Sequence, residues 1–256
     1  MDTDINQAPA LEINGKVATI RLLRPHVANR LSADDLLCIQ QHVHSVNAEP
    51  EIMVLKFEST GKYFCSGYDL KSFGQGQTPS SLLFGETVDL VEAARPITIA
   101  AVNGGVFGGG TDLVLSCDFR IGVHGASMFM PAAKLGLHFY PGGLVRYLTR
   151  LGVDQAKRLF LTAEKIDSDQ MLQIGFLTDL VEPQQLQART TELTETLCAM
   201  APLAALGIKK HLNLIARGQV LSDEIAQAVK LTEASEDLQE GAAAWRDKRL
   251  AQFKGR

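Results

Sequence analysis

With 256 residues, 46% of them hydrophobic, the chain can bury a sizeable core as one large domain or as a core with a smaller appendage, which excludes global disorder. Its 25 basic and 29 acidic residues leave a net charge of −4 with no basic block, arguing against a nucleic-acid or membrane-surface protein. Four scattered cysteines without CxxC or zinc-type spacing read as buried reduced thiols, and the acidic, polar MDTDINQAPALEI with no membrane-length apolar run points to the cytoplasm.

In chain order, LEING and KVATIRLLRP predict two strands joined by an Asn-Gly turn. LSADDLLCIQQHVHSVN predicts a helix with Ser32 as N-cap and Asp35 at the capping-box position. EIMVLKFES predicts a strand running into the loop TGKYFCSGYDLKSF, which the polar tract GQGQTPSS follows. SLLFGETVDLVEAA predicts a helix ended by Arg95-Pro96, and the apolar, β-branched ITIAAVNG a buried strand. Next, AVNGGVFGGGTDLVLSCDFRIG places five glycines within seven residues and opens another helix; DFRIGV and SMFMP predict short strands. From about residue 142 the patterns are mostly helical: GGLVRYLTRLG, VDQAKRLFLTAEKI, SDQMLQIGF, a brief LTDLVEP, then three long helical patterns to the end. Alternating strands and helices followed by helices alone predict an α/β core with a helical C-terminal part.

The glycine stretch does not match the phosphate-binding patterns. Gly104, Gly105, Gly108, Gly109 and Gly110 offer no i, i+2, i+5 triple, and Thr111-Asp112 stands where a P-loop needs Lys-Ser/Thr. Ser66 in FCSG lacks the preceding glycine of a nucleophile elbow. What remains is a strand turning into a helix whose first turn is glycine, exposing N–H groups that an oxygen can approach closely. That is half of an oxyanion hole, with close helix packing as the alternative reading. The six histidines are dispersed, and His42 and His44 point in different directions on a helix, so no metal site is expected.

FCSGYDL followed by AVNGGVFGGGTDLVLSCD resembles the crotonase, or enoyl-CoA hydratase/isomerase, superfamily. PAAKLGLHFYPGGLVRYLTRLG, AEKIDSDQMLQIGFLTDLVEP and EGAAAWRDKRLAQFKGR resemble its later segments, so the resemblance spans almost the whole chain. It implies an α/β fold: a crotonase-like spiral of ββα units over residues 1–198 and a helical C-terminal trimerisation region over 199–256. It also implies a homotrimer or a dimer of trimers acting on acyl-CoA thioesters, with coenzyme A part of the substrate and no other cofactor. The amides of Ser66 and Gly109 would hold the thioester oxygen as an enolate develops, Gly67, Tyr68, Asp69 and Leu70 would lie along the pantetheine, and Ala28 and Arg30 would line the CoA path. Asp112 stands where hydratases carry their first glutamate and is expected to project into the cavity as the main acid/base. Ala132 stands at the second glutamate position and can neither give nor take a proton. His138 and Tyr140 lie in a loop that touches the acyl group in some branches; they would either substitute for that glutamate or simply pack. The leading expectation is an enoyl-CoA hydratase/isomerase-type enzyme. An acyl-CoA decarboxylase or thioester hydrolase, and a non-catalytic acyl-CoA-binding scaffold, stay open.

Overall fold

A computed structural model describes residues 7–69 and 81–256. Leu70 falls outside the described residues, and with it one expected pantetheine contact. Strands β1 (Ala10–Asn14) and β2 (Val17–Leu22) pair antiparallel with Asn14 opposite Val17. The two-residue loop is therefore Gly15–Lys16, one position later than the expected Asn-Gly, with Gly15 at φ +56° where the tight hairpin needs a left-handed residue. Helix α1 (Ala33–Ala48) starts with the predicted capping box: Ser32 Oγ accepts the Asp35 N–H at 3.2 Å, and Asp35 Oδ2 accepts the Ser32 N–H at 2.6 Å.

Three successive passes of the chain then repeat one pattern. They are β3 (Val54–Ser59), β4 (Tyr63–Cys65) and α2 (Ser81–Glu92); β5 (Ile97–Val102), β6 (Gly105–Phe107) and α3 (Gly109–Ser116); and β7 (Phe119–Val123), β8 (Ser127–Phe129) and α4 (Pro141–Leu151). The first strand of each pass joins a six-stranded sheet, ordered β1-β2-β3-β5-β7-β10, and the second joins a four-stranded sheet, ordered β4-β6-β8-β9. This is the expected spiral of ββα units. The sheets are completed by β9 (Ile166–Asp167) and β10 (Asp179–Val181), with α5 (Val153–Thr162) and α6 (Ser168–Gln173) between α4 and β10. From β2 onward, neighbours in the large sheet run parallel. Strand β4 lies inside the segment that the sequence reads as a loop, and β6 inside the glycine stretch that it reads as leading from β5 directly into a helix. Three residues are too few for a period-two pattern to show, and these strands exist because a neighbouring strand accepts their backbone bonds.

Every residue of β5 is buried, because both faces of the large sheet are covered. Ala100 and Val102 face the main core, while Ile97 and Ile99 pack in a second layer with Leu197 of α7 (Leu186–Cys198) and, partly buried, Leu206 of α8 (Pro202–Ala216). The chain ends with α9 (Ser222–Glu233) and α10 (Glu236–Asp247), so four helices follow residue 185 where three patterns were expected. The break before α8 falls at Ala201, with Pro202 as the first helical residue. No helix among the described residues is long and apolar enough to cross a membrane.

Candidate active site

The two segments singled out in the sequence meet because β4 and β6 are parallel neighbours, and the chain leaves both at the same end. Ser66–Asp69 follows β4, and Gly108 and Gly109 follow β6. Gly67, at φ +91°, sits where the two loops touch: a Cβ there would lie 2.9 Å from both the Gly109 nitrogen and the Phe107 oxygen. Gly108 caps α3 at φ +53°, ψ −132°, a backbone state that a Cβ disfavours, and its N–H donates to the Phe129 carbonyl at 3.1 Å. The next N–H, that of Gly109, opens the helix and has no acceptor among the described residues. It lies at the positive end of α3.

The expected partner amide, that of Ser66, is engaged elsewhere. Ala28 adopts a left-handed conformation (φ 53°, ψ 37°) that turns its carbonyl toward the loop, where it accepts the Ser66 N–H at 2.9 Å. Leu31 then bridges the same loop: its N–H donates to the Gly67 carbonyl and its carbonyl accepts the Asp69 N–H, both at 2.8 Å. N–H groups alternate sides along an extended chain, so the Tyr68 N–H is turned away from Leu31. Arg30 Nε pairs with Asp69 Oδ2 at 3.1 Å on the rim of this arrangement. Ala28 and Arg30 thus brace the loop, and neither lines the pocket beside it.

That pocket, a cavity of about 150 Å³, brings together Ser66, Tyr68, Gly109, Ala132, His138 and Tyr140 from the expected set. Its remaining walls are mostly aromatic and aliphatic. A larger cavity of about 690 Å³ lies between α8 and the end of α2, away from both loops.

Asp112 does not reach the pocket. It is fully buried, and both carboxylate oxygens are taken: Oδ1 accepts from Arg146 Nε at 3.0 Å, and Oδ2 accepts from Arg146 Nη2 at 2.7 Å and from the Tyr140 hydroxyl at 2.5 Å. The expectation of a carboxylate projecting into the cavity is therefore corrected, because α4 closes over α3 and covers residue 112 with Tyr140 and Arg146. Arg146 also donates to Asp89 at 2.6 Å and to Glu92 at 3.2 Å, while Arg217, the residue capping the end of α8, and Arg150 complete a cluster of three carboxylates and three guanidiniums. Burial pulls the Arg146 guanidinium down, but Asp112 beside it, with Glu92 and Asp89, outweighs that and holds it above its ordinary value. Burial, then the neighbouring Asp112 charge, push the Tyr140 phenol well above its usual range, so its proton stays with the Asp112 bond.

His138 is exposed at the pocket mouth, with Nδ1 2.8 Å from the Phe139 carbonyl oxygen. A carbonyl only accepts, so Nδ1 carries the proton in the neutral ring and Nε2 is left as an acceptor. Arg146, Asp89 and Glu92 were missed from the sequence. A signal for Arg146 exists: it shares the buried face of α4 with Gly143, Tyr147 and Leu151, and a charge on an apolar helical stripe requires a buried partner.

At the start of α3 a backbone N–H without an acceptor among the described residues thus opens on a mostly apolar pocket. The chain belongs to the enoyl-CoA hydratase/isomerase family, whose model matches residues 12–256. It is 31% identical over 255 residues to a crotonyl-CoA hydratase of Syntrophomonas wolfei, covering 95% of this chain and 96% of that protein. It is 29% identical over 254 residues to a carnitinyl-CoA dehydratase of Salmonella typhi, covering 95% and 97%. Its structure matches that of an enoyl-CoA hydratase from Bacillus anthracis with a TM-score of 0.87 at 28% identity, over 98% of this chain and 100% of the other.

Proposed function

We propose that the chain is an acyl-CoA enzyme that holds a thioester oxygen with backbone N–H groups and moves a proton at the adjacent carbon with His138 rather than Asp112. The observation that carries this reading is the Gly109 N–H, without an acceptor and opening on the pocket. The N–H of Tyr68, turned away from Leu31 in the touching loop, is the second donor. As an α-proton leaves to His138 Nε2, the electron pair moves onto the thioester oxygen, where these dipoles stabilise the charge. Such an enolate is shared by hydration, dehydration and double-bond isomerisation, and the hydratase and dehydratase named above favour the first two.

A second reading rests on the pocket lining, which holds no Asp, Glu, Lys or Arg among the described residues. Decarboxylation forms the same enolate without a base, and an apolar wall disfavours the departing carboxylate. Incubating the protein with a panel of acyl-CoA thioesters in deuterated water, followed by mass spectrometry, tests both. Deuterium uptake at the α-carbon that is lost in His138→Gln supports the first reading, and loss of carbon dioxide from a malonyl-type thioester supports the second. No exchange or product with any thioester rejects both and leaves a non-catalytic binder.

We further propose that the protein assembles as a homotrimer or a dimer of trimers. Large apolar side chains stand exposed on its C-terminal helices and tail, among them Ile208, Leu212, Leu231, Trp245 and Leu250, the last two about 90% exposed.

A further inference from the structure

The pocket walls narrow the class of acyl group. Six aromatic side chains surround the cavity: Tyr68, Phe84, Phe107, Phe129, Phe139 and Tyr140. They pack on one another, with Tyr68 edge-on to Phe84 at 6.1 Å between ring centroids, Phe139 stacked on Tyr140 at 4.3 Å, and Phe107 tilted against Phe129 at 5.0 Å. Backbone stands directly behind several of these rings. A Cβ at Gly143 would come within 2.1 Å of the Phe139 ring, one at Gly85 within 2.8 Å of the Tyr140 ring, and one at Gly109 within 2.6 Å of the Phe84 ring. Phe139, Tyr140 and Phe84 therefore have little room to retreat, and the cavity does not widen on their sides by sliding them outward.

Two further features set its chemistry. The lining holds no fully charged side chain among the described residues, and the Tyr140 hydroxyl is committed to Asp112 behind the wall, so the wall presents ring to the substrate. A charged acyl terminus reaching past Ser66 and the His138 at the mouth would lose its water to an apolar wall without an opposite charge to replace it. A volume of about 150 Å³ is also the size at which an apolar protein cavity accepts benzene.

We infer that the acyl group is compact and uncharged, with bulk beyond the thioester carbonyl no greater than about one six-membered ring. This rests on the acyl-CoA reading above. The test compares four thioesters, crotonyl-, cinnamoyl-, trans-2-dodecenoyl- and glutaconyl-CoA, by deuterium exchange and by calorimetric Kd, with free CoA as the reference ligand. Crotonyl- and cinnamoyl-CoA are expected to bind more tightly than CoA alone. Dodecenoyl- and glutaconyl-CoA are expected to be weaker than those two by about 10²-fold in Kd. Phe129→Ala, with Leu137→Ala as a second variant should the first not fold, is expected to recover dodecenoyl-CoA binding and leave glutaconyl-CoA excluded. Equal binding of the twelve-carbon or the charged thioester by the unaltered protein overturns the inference while leaving the acyl-CoA reading intact. Failure of CoA and all four thioesters to bind overturns both.

Discussion

Arg146 grips both carboxylate oxygens of Asp112, at 3.0 and 2.7 Å, inside a region where neither side chain is more than 1% exposed. The residue that the family pattern marks as an acid/base is here half of a buried ion pair, and it holds the wall residue Tyr140 by its hydroxyl.

Removing that charge is expected to act on folding first. Breaking one partner of a buried pair typically costs about 3–5 kcal/mol, because the remaining charge stays buried. Asp112→Asn should therefore lower Tm by roughly 6–20 °C in a protein of this size. Calorimetry at pH 7 checks this; an unshifted Tm with abolished turnover would return Asp112 to a catalytic role.

The loop amides predict a contrast between two neighbouring changes. Ser66→Ala keeps the N–H that Ala28 accepts and removes a hydroxyl with no assigned role, so turnover should stay near that of the unaltered protein. Gly109→Ala puts a methyl group 2.6 Å from the Phe84 ring, displacing the helix start and its N–H. Loss of one such donor typically costs 10²–10³ in kcat. Steady-state kinetics, with CoA binding measured in parallel, separates a misplaced donor from a lost site.

Alkaline stability should be limited by buried acids. Burial pushes the thiols of Cys65 and Cys117 from 9.0 up to about 12. Below pH 9 both the native and unfolded states hold these protons, and full stability is present. Between pH 9 and 12 the unfolded chain releases them and the native state does not, so stability falls by roughly 1.4 kcal/mol per pH unit for each thiol. Tyr140, held well above 10.0 by burial and by Asp112, extends the loss beyond pH 10. Urea titrations at pH 7, 9 and 10 should show this slope, and Cys117→Ala should reduce it.

The apolar C-terminal surface predicts association. Light scattering at micromolar concentration should give three or six chain masses, and replacing Trp245 and Leu250 by charged residues should lower that number if their side of the surface is the contact. A monomer mass for the unaltered protein rejects the trimer.

Much of this was legible in the chain itself. The Ser32/Asp35 cap, the largely apolar, fully buried β5 and the glycine-led start of α3 each follow from short-range rules, because their determining residues lie within one turn or one strand of each other. The short strands β4 and β6 were not legible, since a three-residue strand is defined by the edge it meets. Nor was it legible that the Ser66 N–H is taken up by the Ala28 carbonyl and that Leu31 bridges Gly67 and Asp69, since those partners lie more than thirty residues earlier in the chain.

The sequence by itself determined the family and the glycine-led start of α3, because glycines act through position alone. The role of Asp112 was decided only by tertiary structure. A carboxylate in the first turn of α3 serves equally as a base or as a counter-ion, and its environment makes the difference. Here α4 lays Arg146 and Tyr140 across it from 34 and 28 residues away, with Asp89 and Glu92 of α2 behind, and the charge is consumed before any substrate can meet it.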